Sequence, residues 1–283
     1  EREFDDRDMN MAELVAGRLA ADLDREVLLK SETQSRGILR QLEGASRMQL
    51  EQLPKIAPLV EGWQIAGWTS QGSAVGGALH DWWMHDDGRL FVAAAQGLDG
   101  GIEGALCAAS LRATVRGLAQ GPIMPNAVLE QASQALWSAS AGDQFASLFC
   151  AAIEPNEGRC DFAAAGQMGA ILIGRLGNER LIAPSLSLGV EPSAKYLPRE
   201  FKIEPSQLMI VVNDGVHEAR DGEGRPWTMS GVADAVQGHL DASAETIAEL
   251  IRDRLEAYTF DRKAADRTVL VVKRELANAR SPL

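Results

Sequence analysis

The sequence predicts an α+β domain in which two packed sheets carry helices on their outer faces, preceded by a helical linker. Strand-type runs come in clusters and helix-type runs come in pairs, the grouping expected of layered sheets and helices. A separate apolar stripe of helical period occupies the first fifty residues. With 283 residues and 46% apolar content there is enough chain for one large core plus an extension.

In chain order, Asp5, Asp6 and Asp8 open the first helix, where acids suit the helix dipole. Met11, Leu14, Val15, Leu19, Leu23 and Val27 follow at near-helical spacing, to about Leu29. A second helical stretch carries Ile38, Leu39, Leu42, Ala45, Met48 and Leu53 and stops at Pro54, with Gly37 and Gly44 weakening it. The stripe packs either on its own domain or on its copy in a dimer. A homodimer is the expected arrangement, because so long a stripe is costly to leave exposed.

The domain itself begins with strands over 63–69, 75–84 and 89–96. His85-Asp86-Asp87-Gly88 turns the last two into a hairpin. An Ala/Leu-rich helix over 104–119 is apolar on much of its surface and is expected to be largely buried. Pro125 opens a second helix through Trp137. Strands over 146–153, 159–165, 170–175 and 180–183 read as a meander broken by Pro-Asn-Glu-Gly and Gly-Asn turns. A continuous apolar strand over 208–212 ends at Asn213-Asp214-Gly215. Helices over 231–240 and 244–258 and a strand over 268–273 close the domain.

Four motifs stand in order along this framework. They are Val75-Gly76-Gly77-Ala78-Leu79-His80-Asp81, Ala95-Gln96-Gly97-Leu98-Asp99-Gly100-Gly101, Asn213-Asp214-Gly215-Val216-His217-Glu218 and Ala264-Ala265-Asp266-Arg267-Thr268. They resemble the SpoIIE/RsbU-like branch of the PPM-type, metal-dependent Ser/Thr phosphatases. That branch reads Gly-Gly-Asp-x-x-Asp, Asp-x-x-Gly-x-Gly, Thr-Asp-Gly-x-x-Glu and Asp-Asp-x-Thr. Further matches are Gln49-Leu50-Glu51-Gln52-Leu53-Pro54, Glu61 to Gly67, Phe145-Ala146-Ser147, Leu188-Gly189-Val190 and Ala164-Ala165-Gly166-Gln167. In the last of these Gln167 replaces the family's histidine.

The resemblance implies a four-layer αββα sandwich over residues 51–275, a helical linker over 1–50 and a short tail over 276–283. Phe4 to Ala16 and Asp24 to Leu29 resemble the exit helix of a GAF sensor domain. The resemblance also implies a pair of Mn or Mg ions that acidify a water for attack on phosphoserine or phosphothreonine. Such hard ions need oxygen ligands, preferably anionic ones. Here Ala78, Gln96 and Ala265 stand at three of the four acid positions, and only Asp214 keeps its carboxylate. One carboxylate does not hold two dications close together against their repulsion, so no metal cofactor is expected. Gly76, Gly77, Gly97, Gly100 and Gly215 remain as a cleft rim that allows close backbone approach.

Other residues carry alternatives. Asp214 is a vestigial metal ligand or a turn acid before Gly215. Asp81 binds a metal through water or caps a turn, the cap being favoured. His80 and His85 with Asp86 and Asp87 form a new metal site only if two histidines five residues apart can converge, which strand geometry opposes. Asp99 could replace the acid missing at Gln96, from a position that the family fills with glycine. Trp63, Trp82 and Trp83 read as core and sheet-face aromatics rather than a ligand stack, and Glu218 and Arg220 as solvated. Cys107, Cys150 and Cys160 have no metal-ligand spacing and read as small hydrophobes.

Lys plus Arg number 28 and Asp plus Glu 40, a net charge of −12, which opposes binding to nucleic acid or anionic lipid. With no signal-peptide pattern and no apolar run of ~18 residues, a cytoplasmic location is expected, as part of a larger sensor if the GAF resemblance holds. Three function classes remain: a pseudophosphatase signalling module, a weak or atypical metal-dependent phosphatase, and a structural dimerisation domain. The first is favoured. The resemblance makes a STAS-type anti-sigma-factor antagonist its natural partner.

Overall fold

Alternate residues along single strands feed different cores. In the strand Leu90–Gly97, Phe91, Ala93 and Ala95 pack against helices, whereas Leu90, Val92 and Ala94 pack against a second sheet. This is the period-2 consequence of the pleat. The computed structural model describes residues 6–121, 123–181, 185–260 and 265–276. Its elements are α1 (Asp6–Gln52), β1 (Trp63–Ser70), β2 (Ala78–Met84), β3 (Leu90–Gly97), α2 (Gly101–Leu118), α3 (Pro125–Ala139), β4 (Ala146–Glu154) and β5 (Arg159–Ala165). They continue with β6 (Gly169–Gly174), β7 (Gly177–Arg180), β8 (Arg199–Lys202), β9 (Leu208–Val212), α4 (Asp214–His217), α5 (Thr228–Val236), α6 (Ala244–Thr259) and β10 (Arg267–Arg274).

The chain divides into two units, residues 1–47 and 48–283. The first is described by α1, a single helix of 47 residues with no buried side chain. The two helical stretches expected here are continuous. Glycine costs a helix only ~1 kcal/mol per residue, and no proline interrupts before Pro54. Asp6 and Asp8 lie in its first turn; Asp5 and Phe4 lie outside the described residues.

In the second unit the sheets run β1-β10-β9-β6-β7 and β2-β3-β4-β5-β8. Helices α2 and α3 cover the outer face of the second sheet through Leu111, Val115, Val128 and Leu129. Helices α5 and α6 cover the first through Val232, Ile247, Ile251 and Leu255. Between the sheets lies a core that includes Trp63, Trp82, Phe149, Ile153, Met209, Val211, Leu270 and Val272. The expected four layers are present in the expected order.

Several element expectations are corrected. The 146–183 meander is not one sheet: β4 pairs with β3 and β5 with β4, whereas β6 pairs with β9 and β7 with β6 in the other sheet. Its last strand is Gly177–Arg180 rather than 180–183, residues 182–184 lying outside the described set, and the edge strand β8 was not anticipated. The first helix of the domain begins at Gly101 and buries one face only; Ile102 and Leu106 remain exposed. Strand β2 begins at Ala78 rather than Val75, because the amides of Gly76 and Gly77 bond to side chains instead of a strand.

Among the described residues, no helix is long and apolar enough to cross a membrane. The cysteines are free and buried, and burial pushes the Cys150 thiol up to about 12.

Candidate functional site

The pleat decides which residues of the first motif face the cleft. Trp82 packs between the sheets and Leu79 against α2, so Ala78 and His80 share the inter-sheet face and Asp81 takes the α2 face. Ala78 is paired across the hairpin with Gln96 of β3. Strand β9 ends at Val212, Asn213 caps the next helix and α4 begins at Asp214. Gln96, Asp214, Gly215, Glu218, Ala265 and Arg267 are among the residues that line a cleft of about 440 Å³. Of the four positions that the resemblance assigns to acids, Gln96, Asp214 and Ala265 line this cleft, and Ala78 stands beside it through its pairing with Gln96.

The cleft is held by amides and backbone. Asn213 Nδ2 donates to Gln96 Oε1 at 2.5 Å and to the Asp266 carbonyl at 2.8 Å, while Asn213 Oδ1 accepts from the Thr268 amide at 2.9 Å. The Gly215 amide donates to Asp214 Oδ1 at 2.6 Å. Burial raises the Asp214 pKa, while hydrogen bonds from the Gly215 amide and Gln96 oppose that shift. Asp214 is therefore a half-buried carboxylate with neutral donors around it.

This donor set does not fit a pair of hard divalent ions. Ala78 and Ala265 offer no ligand atom, and Gln96 offers a neutral oxygen already engaged by Asn213. Among the described residues no group of three or more His, Cys, Asp or Glu is placed to hold a metal ion.

Asp81 neither faces the cleft nor caps a turn. It is buried within β2 and is bound by Arg112 Nε at 3.0 Å and Arg116 Nη2 at 2.6 Å, both from α2. His80 Nδ1 lies 2.9 Å from Thr69 Oγ1, and His80 Nε2 has no hydrogen-bond partner among the described residues. His85 Nδ1 lies 2.8 Å from Asp87 Oδ1 in the hairpin turn, away from the inter-sheet face that His80 occupies, and Asp86 is exposed. Asp99 is absent from the cleft lining, and its carbonyl instead closes on Gly104. Trp63 and Trp82 are buried in the inter-sheet core, and Trp83 stacks on Phe91. Glu218 and Arg220 are exposed on the cleft wall.

The rim glycines are filled by the chain's own atoms more than by open space. A Cβ at Gly215 would stand 1.9 Å from the Asp266 carbonyl, and one at Gly97 would stand 2.9 Å from the Gly104 carbonyl. Gly76 is crowded by the Gln71 and Asp266 side chains and Gly77 by the Gly104 backbone, whereas Gly100 is unobstructed. The expected close approach exists, but at four of the five positions its partner is the protein itself.

Three contributors were not singled out from sequence. Asp266 receives the Gly72 amide at 2.8 Å and the Gly77 amide, so it anchors the first-motif loop. Gln49 Nε2 donates to the carbonyls of Gly76 at 3.0 Å and Ala105 at 3.2 Å. Asn213 is the third; its signal was the simultaneous presence of two amides, Gln96 and Asn213, where the resembling motifs have Asp and Thr. Gln167, at the position of the family's histidine, donates its amide to Ser147 Oγ at 3.0 Å.

The family model described as Stage II sporulation protein E (SpoIIE) matches residues 86–275. The chain belongs to the SpoIIE family. Phosphoserine phosphatase RsbU of Bacillus subtilis (strain 168) is 22% identical to it over 244 residues, 84% of this chain and 71% of that protein. The SiaA-PP2C domain of Pseudomonas aeruginosa superimposes with a TM-score of 0.74 at 19% identity, covering 86% of this chain and 98% of that one. The PP2C phosphatase domain of SpoIIE from Bacillus subtilis, with a fragment of its regulatory domain, superimposes with a TM-score of 0.66 at 14% identity. That match covers 75% of this chain and 63% of the other. The fold is therefore the PP2C (PPM) sandwich of this family.

Proposed function

We propose that this SpoIIE-family chain is a pseudophosphatase, a signalling module that binds a partner without hydrolysing phosphoester. The observation that carries the reading is the donor set of the cleft. Of the four positions at which the resemblance expects metal-binding acids, Asp214 alone has a carboxylate, and the oxygen of Gln96 is taken by Asn213. The family's chemistry needs two ions to acidify a water, and one carboxylate leaves their mutual repulsion uncompensated.

RsbU is named a phosphoserine phosphatase. If its kind of substrate carries over as a ligand, the partner is a STAS-type anti-sigma-factor antagonist phosphorylated on serine or threonine. The exposed apolar stripe of α1 supports a homodimeric assembly, and the GAF-like sequence at its start supports input from a sensor domain. No ion, nucleic acid or membrane is required by this reading.

The test is turnover of a phosphoseryl protein and of an aryl phosphate by the full chain under millimolar manganese. No hydrolysis is expected. Metal-dependent turnover that disappears in Asp214→Ala would overturn the reading in favour of a weak phosphatase. The combined variant Ala78→Asp, Gln96→Asp, Ala265→Asp is expected to bind manganese that the parent does not, measured by calorimetry.

A further inference from the structure

Two residues in the cleft answer each other. Gln96 belongs to the sheet that contains β2 and β3, and Asn213 directly follows β9 of the opposite sheet, so the 2.5 Å bond between their amides crosses the sandwich. Asn213 is fully buried, and its side-chain oxygen accepts from Thr268 at the start of β10. Thr268 Oγ1 lies 2.9 Å from Thr69 Oγ1 on β1, and Thr69 Oγ1 lies 2.9 Å from His80 Nδ1 on β2. The chain of contacts therefore leaves the second sheet at Gln96, runs through Asn213 and two strands of the first sheet, and returns at His80. Its two ends flank Ala78, which pairs with Gln96 and lies two residues from His80 on the same face.

We infer that Gln96, Asn213, Thr268, Thr69 and His80 form a latch that ties the two sheets together at the cleft without metal, with Asp266 fixing the first-motif loop alongside it. In a dinuclear site the ions join carboxylates borne by different strands. Here neutral donors and acceptors make the same connection. The latch rests on reading the donor set as unfit for ions, but it concerns how the cleft is held and not whether it turns over. Buried hydrogen-bonded chains of this kind are cooperative, because removing one member leaves its neighbours unpaired away from water.

Nearly isosteric variants of the full chain test the latch. Gln96→Met removes the acceptor for Asn213, and Thr69→Val cuts the link between His80 and Thr268. The Thr268 amide, which donates to Asn213 Oδ1, reports locally through hydrogen exchange. Its exchange is expected to rise by about tenfold or more in each variant. The urea midpoint of each variant should fall, and the double variant should fall by less than the sum of the two. Manganese or chelator should leave the parent's midpoint unchanged. Asn213→Ala is a harsher probe; if it does not fold, the other two variants carry the test. Unchanged Thr268 exchange in Gln96→Met and Thr69→Val, or strictly additive midpoints, would overturn the latch while leaving the pseudophosphatase reading intact. Turnover by the parent protein would remove that reading but not the exchange result.

Discussion

His80 lies between the sheets with 2% of its surface exposed, and burial lowers its pKa from 6.5 to about 4. Asp81 pulls the other way and Arg112 adds to the lowering. The folded state thus keeps His80 neutral where the unfolded chain protonates it. Its contribution is fully present above 6.5 and is lost as pH falls from 6.5 towards 4. The loss amounts to about 3 kcal/mol. Denaturation of His80→Gln across that window is expected to show a shallower loss of stability than the parent; equal slopes would contradict it. Asp214 has the opposite sign of shift, its pKa raised by burial. A raised carboxylate pKa means stability present below 3.8 and lost as pH rises through the folded value. Asp214→Asn, which keeps an acceptor for Gly215, should therefore melt higher than the parent at neutral pH and level with it in acid below 3.8. A variant that melts lower at neutral pH would show that the charge itself is needed.

At the scale of elements, Asp81 joins β2 to α2. Its carboxylate is 2% exposed, whereas the partner side chains Arg112 and Arg116 are 24% and 38% exposed. Removing one member of a buried pair costs about 3 kcal/mol. The arginines can turn towards water, so the cost of Asp81→Ala comes chiefly from the lost hydrogen bonds and belongs at or below that figure. A urea titration should show a clearly lower midpoint with the same slope. No change would mean that Trp83, over which the Arg116 guanidinium sits at 4.7 Å, holds α2 by itself. Sequence could not assign this role: it offered a water-mediated metal contact or, as the favoured reading, a turn cap, while the pleat turns Asp81 towards Arg112 and Arg116 of α2. The hairpin at Asp87-Gly88 and strands β5 and β9 were legible residue by residue, since alternation or an apolar run coincided with strong turn signals. Strand β6 was legible as a strand but not as a member of the other sheet, because sheet membership depends on pairing partners distant in the chain, and β7 was misplaced by three residues.

At the scale of the molecule, the apolar residues of α1 bear on assembly. Leu14, Leu23 and Val27 are 74%, 62% and 66% exposed, a cost that association with a second helix would remove. The full chain is expected to sediment as a dimer, and a chain lacking the residues before Gln34 as a weaker dimer or a monomer. A full chain that stays monomeric at tens of micromolar would exclude this route of assembly. The −12 net charge sets a limit on it, since like-charged protomers associate less readily at low salt than at high.

The sequence by itself determined the family, the layering and the presence of Ala78, Gln96 and Ala265 where the resembling motifs carry acids, because each rests on residue identity at a position or on local periodicity. Only the tertiary structure decided what replaced those acids. Gln96 and Asn213 are 117 residues apart, and whether two amides meet depends on which faces of two strands oppose each other across the sandwich. The same holds for Asp266 and Gly77, 189 residues apart, and for the turning of Asp81 towards α2. Composition and spacing carry no term for the approach of distant backbones, and at this cleft that approach sets every contact among the side chains that remain.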